Sequence, residues 1–133
     1  MIKKTITYKD FNDKERTENF YFHFSQAELL DMEMDVDGGF AERIQKMIDT
    51  KDQKELLKII KKFVYDAYGV KSDDGKRFMK NPEVKAEFIE SPAYSIIFME
   101  LVTNDQVAAE FVNGVIPDDM KSQYAAALKK ANN

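Results

Sequence analysis

Cysteine is absent and histidine occurs once, so disulfides, thiolate zinc sites, cysteine nucleophiles and any intrachain cluster of imidazoles are excluded. No run approaches the roughly 18 consecutive apolar residues that a membrane span requires. The N-terminus sets Lys3, Lys4, Lys9 and Asp10 around single apolar residues, without a signal-peptide core, which predicts a protein that stays in the cytoplasm where it is made. Repeats, low-complexity tracts and a clear linker are also missing. The net charge of −4 is spread evenly, and without a basic half the chain lacks the electrostatic footprint of a nucleic-acid binder.

What is present suits one folded domain over residues 1–133: 44% hydrophobic residues are enough for a core, and 33% charged residues keep the surface wet. Ile2 to Tyr8 alternates apolar and polar, and Glu18 to Phe24 is rich in aromatics, with Phe20, Phe22 and Phe24 on one face and Tyr21 and His23 on the other. These predict an antiparallel hairpin (1–24) with a long charged connection, Lys9 to Thr17. A lone hairpin is marginal in water, so its phenylalanine face must lie on helices.

Ser25 and Glu28 have capping-box spacing and open a helix, and a second helix follows over Phe40 to Ile48. Asp52 and Glu55 repeat the box ahead of the best amphipathic pattern, Leu56 to Ala67, which places Lys51, Lys54, Lys58, Lys61 and Lys62 on the opposite face. Gly69 reads as a left-handed stop ending the helical segment 25–69. Ser72-Asp73-Asp74-Gly75 predicts a turn, within a connection Val70 to Lys76 that would be the seam to a helical C-terminal half (76–130). Asn81-Pro82, Ser91-Pro92 and Asn104 each read as a helix start, and Asp118 to Lys130 as a last helix with Met120 and Tyr124 on its stripe. The expected fold is α+β and predominantly α-helical, an N-terminal antiparallel β-hairpin packed on a bundle of about six helices.

Sites of chemistry are scarce. Acidic residues alternate from Asp31 to Asp37, yet a calcium loop begun at Glu33 would close on Ile44, and one begun at Asp31 has Val36 at its glycine position. His23 has no evident carboxylate or nucleophile to work with, and reads as a residue on the less buried hairpin face. The lysine face lacks the interleaved aromatics that hold single-stranded nucleic acid, and Gly75-Lys76 lacks the remaining positions of a phosphate loop. The expectation is therefore no catalytic residue, no metal and no cofactor. Apolar Val115 and Ile116, following a helix stop near Gly114, are candidates for a contact surface, with core packing as the alternative.

From Tyr68 to Pro117 the sequence resembles the tail assembly chaperones of long-tailed (siphovirus) phages of Gram-positive bacteria. The resemblance rests on Tyr68-Gly69, the DGKRF run at Asp74 to Phe78, SPAYS at Ser91 to Ser95, FMEL at Phe98 to Leu101 and FVNGVIP at Phe111 to Pro117. It implies a non-enzymatic binding protein of the infected host's cytoplasm, absent from the mature virion, whose partners are the tape measure protein and the tail tube protein, with neither nucleic acid nor membrane. A virion structural protein, such as a tail completion or connector component, is the alternative. The expected protein-binding residues are Phe111, Val115 and Ile116, with Met120 and Tyr124 as a second patch, and self-association is compatible with such a surface.

Overall fold

The computed structural model describes residues 1–35 and 53–115. Strand β1 (Ile2–Lys9) turns Ile2, Lys4, Ile6 and Tyr8 inward and Lys3, Thr5, Thr7 and Lys9 outward, as a two-residue period requires. It pairs antiparallel with β2 (Glu15–Phe22), Ile2 opposite Phe22 and Lys9 opposite Glu15. The connection is much shorter than expected. Only Asp10 to Lys14 turns the chain, because Asp13 adopts φ 61° and its amide donates to the Asp10 carbonyl (2.9 Å), while the Asp10 carboxylate accepts from the Asn12 and Lys14 amides (2.8 and 3.0 Å). Aspartate is among the few residues that enter the left-handed region readily.

The sheet is also larger than one hairpin. Tyr68–Lys71 forms β3 and Phe78–Met79 forms β4, giving four antiparallel strands in the order β1-β2-β3-β4. The predicted turn lies between the added strands: Ser72 Oγ donates to Asp74 Oδ1 (2.7 Å), Asp74 Oδ1 accepts from the Lys76 amide (3.0 Å), and Gly75 takes φ 74°. Gly69 therefore does not end a helix in the left-handed region. It sits inside β3 beneath the Phe78 ring, where a Cβ would come within 2.6 Å of Cε2.

Five helices and the four-stranded sheet are present among the described residues, an α+β fold in which a larger sheet takes the place of the expected hairpin; the predicted helices Phe40 to Ile48 and Asp118 to Lys130 lie outside the described residues. Helix α1 (Gln26–Asp35) begins with the predicted reciprocal box, Ser25 N–H to Glu28 Oε1 (2.9 Å) and Glu28 N–H to Ser25 Oγ (3.1 Å). Helix α2 (Gln53–Ala67) buries Ile59, Phe63, Val64 and Ala67 and exposes Lys54, Lys58, Lys61 and Lys62; Leu57, expected inside, is exposed. Asn81 caps α3 (Pro82–Ile89) through the Val84 amide (2.9 Å), and Asn104 caps α5 (Asp105–Val115) through the Val107 amide (3.1 Å). Ser91, at the head of α4 (Pro92–Thr103), caps nothing: its hydroxyl donates backward to the Phe88 carbonyl (2.8 Å).

Aromatic rings tie the layers together. Phe22 meets Phe88 of α3 (5.8 Å) and Phe111 of α5 (5.1 Å) edge-on, Phe24 meets Phe63 of α2 (5.6 Å), and Tyr68 stacks on Phe88 at 4.0 Å. Burying each such ring contributes about 2–3 kcal/mol, so the β2 phenylalanines hold the helices to the sheet. One core cluster runs from Ile6 to Val115.

Candidate functional site

Phe111 and Val115 are core residues. Phe111 closes on Phe22, and the Val115 carbonyl accepts from the Phe24 amide (3.0 Å), which fastens the last turn of α5 to the end of β2. The helix runs on through Gly114, past the stop expected after Asn113, and glycine is required there by close packing, since a side chain would collide with Ile2 of β1. The Met1 ammonium donates to the Gly114 carbonyl (3.3 Å) on the same seam. Ile116, Met120 and Tyr124 lie outside the described residues. Phe111 does reach one surface feature, a groove of about 350 Å³ between β1 and α5, whose rim carries the Lys4–Glu100 ion pair (3.0 Å).

Exposed apolar side chains occur elsewhere. On α1, Leu30 (57% exposed) and Met34 (69%) share a face at i, i+4 spacing; on α4, Ile96 and Met99 (52%) share one at i, i+3. Sequence reasoning passed over both sets. Leu30 falls off the α1 stripe that carries buried Leu29, and α4 is apolar nearly all round, a pattern that reads as fully buried. Phe11, at the tip of the β1–β2 turn, is the most exposed large apolar residue described, at 84%.

A second cleft of about 360 Å³ lies between α1, the end of α2 and the start of α3, and it collects ionisable groups that no motif announced. Lys80 donates to the His23 carbonyl (2.6 Å) and to Glu28 Oε2 (2.7 Å), with its ammonium 4.9 Å from the centre of the Phe24 ring. Burial alone would raise the Glu28 pKa, but Lys80 and the Ser25 amide outweigh it and hold the carboxyl below its usual range. Lys85, only 5% exposed, donates to the carbonyls of Tyr65 and Tyr68 (the latter at 2.7 Å); burial first, and then Lys80, pull its pKa down to about 8. Both lysines are spent on the protein's own acceptors, Lys85 at the C-terminal end of α2 where carbonyls lack helical partners.

His23 is half-buried with its ring edge-on to Phe78 (6.1 Å). Its Nδ1 has no hydrogen-bond partner among the described residues, and burial, then the N-terminal ammonium and Lys80, lower its pKa. Among the described residues no carboxylate is hydrogen-bonded to it, as a general base would need. Among the described residues no group of three His, Asp or Glu side chains could hold a metal ion, and no helix is long and apolar enough to cross a membrane.

Comparison with known proteins adds what geometry cannot. A family model described as phage tail assembly chaperone matches residues 1–133. A protein of Mycoplasma pneumoniae described as MgpC-like is 36% identical over 69 residues, which is 52% of this chain and 23% of that protein. The chain thus spans less than a quarter of that relative. No solved structure matches.

Proposed function

The chain belongs to the phage tail assembly chaperone family, and on that premise we propose that it shields the tape measure protein and promotes assembly of tail tube subunits around it, in the infected cytoplasm of a Gram-positive host. The observation that carries this reading is the family match over the whole chain. A tape measure segment is amphipathic and helical, and its apolar stripe needs cover until the tube encloses it. Contact by helix in groove supplies such cover reversibly, because a few apolar anchors at i, i+3 and i+4 give affinity without locking the complex.

The client-facing residues belong among the accessible apolar side chains, Leu30 and Met34 on α1 and Ile96 and Met99 on α4; Ile116, Met120 and Tyr124, outside the described residues, are proposed as further contacts. Methionine suits the role because its unbranched side chain repacks around varied partners. Phe111 and Val115 are buried, so replacing them would disturb the fold before it disturbed a contact. The chaperone leaves as the tube closes and is not a virion component.

Co-expression tests the reading. The neighbouring tape measure protein should stay soluble with the chaperone and precipitate without it, and mass spectrometry of purified particles should detect no chaperone. Equal solubility in its absence, or stoichiometric amounts in particles, would overturn the proposal.

A further inference from the structure

One wall of the groove between β1 and α5 is main chain. Five successive residues, Ile2 to Ile6, line it, and since neighbouring side chains leave opposite faces of a strand, only the edge of β1 presents all five. That edge is open. β1 pairs with β2 on its other side, and no described strand pairs with it here. The phase of the ladder follows from the turn, where the Asp10 amide donates to the Lys14 carbonyl (2.9 Å), and bonding alternates along an antiparallel pair. Even-numbered residues of β1 therefore bond to β2, and the amides and carbonyls of Lys3, Thr5 and Thr7 point off the edge. Among the described residues no hydrogen bond satisfies them.

The far wall belongs to the helices. Val107 and Phe111 of α5 make it apolar, and acids stand at its rim. Glu100 is held by Lys4 (3.0 Å), so that pair cancels, whereas Glu110 is exposed and among the described residues accepts only a long bond from Gln106 Nε2 (3.4 Å). We propose that this groove takes an extended strand of a partner protein, added antiparallel to the edge of β1, with apolar side chains and one cation turned into the groove and neutral or acidic side chains turned out. Main-chain groups of the added strand opposite Lys3, Thr5 and Thr7 complete the ladder, and its alternate side chains fill the groove, which is how strand addition divides affinity from specificity. Glu110 selects the inward cation. The outward face of β1 selects the rest, because Lys3 and Lys9 stand there without an acid, and like charges facing across strands repel. The same lysines disfavour β1 of a second copy as the occupant. The contact is independent of the α1 and α4 faces assigned to the tail-protein client above.

A blocked heptapeptide, Thr-Val-Thr-Arg-Thr-Val-Thr, tests it in an amide NMR titration. Binding should saturate, and the Thr5 and Thr7 amides, exchanging freely in the chain alone, should exchange more slowly with peptide bound. Changes made to the peptide alone read the mode without touching the fold. Methylating its threonine amides, which face β1, should abolish binding, whereas methylating its valine and arginine amides should leave it intact. Replacing its arginine by glutamate should weaken binding about fivefold, and Glu110→Lys, an exposed change, should reverse that preference. No binding at millimolar peptide, loss on methylation of the valine and arginine amides instead, or a preference that Glu110→Lys leaves unchanged would each overturn the proposal. So would a free chain whose Thr5 and Thr7 amides are already protected: at constant mass its own residues hold the edge, and with a mass that rises above 15.4 kDa on concentration a second copy does.

Discussion

Lys85 is a buried ammonium at the junction of α2 and β3. Its ammonium is nearly excluded from water, and the two carbonyls it reaches, on Tyr65 and Tyr68, would otherwise be left without a donor where α2 gives way to β3. Neutral lysine still carries two N–H donors, so losing the proton removes the desolvation cost and keeps the bonds. The folded value near 8 lies below the ordinary 10.5, so between the two the unfolded chain binds more protons and stability rises with pH. Lys80, also lowered by burial, adds in the same direction. We expect urea midpoints to increase from pH 8 to pH 10, and Lys85→Met to flatten most of that rise while costing about 1–3 kcal/mol at pH 7 through the unsatisfied carbonyls. An unchanged slope in the variant would assign the effect to other groups.

At the scale of elements, the helix starts separate what local sequence decides from what tertiary structure decides. Asn81 and Ser91 both precede proline, yet only Asn81 caps its helix. Asn81→Ala should therefore cost about 1 kcal/mol, whereas Ser91→Ala should lose only a hydroxyl bond to the Phe88 carbonyl. Chemical denaturation of the two variants side by side reads the difference, and equal losses would contradict the assignment. The capping box at Ser25, the buried arc of α2 and the facing phenylalanines of β2 were legible because each depends on residues within one or two turns or pleats. Strands β3 and β4 were not. With four and two residues they are too short for a two-residue period to register, and Tyr68-Gly69 continues the α2 pattern so well that only pairing with Tyr21 and Phe22 makes it a strand. The candidate surface was hidden for a related reason. Phe111 and Val115 flank a glycine near the helix end that looks exposed, but β1 and β2 cover it. The free faces of Leu30 and Met99 exist only because nothing described packs over them.

For the whole molecule, the sheet and its aromatic seam hold the buried core, and the exposed apolar side chains on α1 and α4 are the client-facing part in the reading proposed above. This division predicts that surface changes can abolish chaperone action at little cost in stability, since exposed substitutions away from special features shift stability by no more than about 0.5 kcal/mol. The most direct test is calorimetric titration of purified chaperone with helical fragments of the tape measure protein. The account predicts saturable binding to at least one fragment, weakened at least about tenfold by combined Leu30→Asp and Met99→Asp substitutions, a loss of about 1.4 kcal/mol, with an unchanged melting temperature. Absence of binding to every fragment, or binding that the two substitutions leave intact, would contradict it.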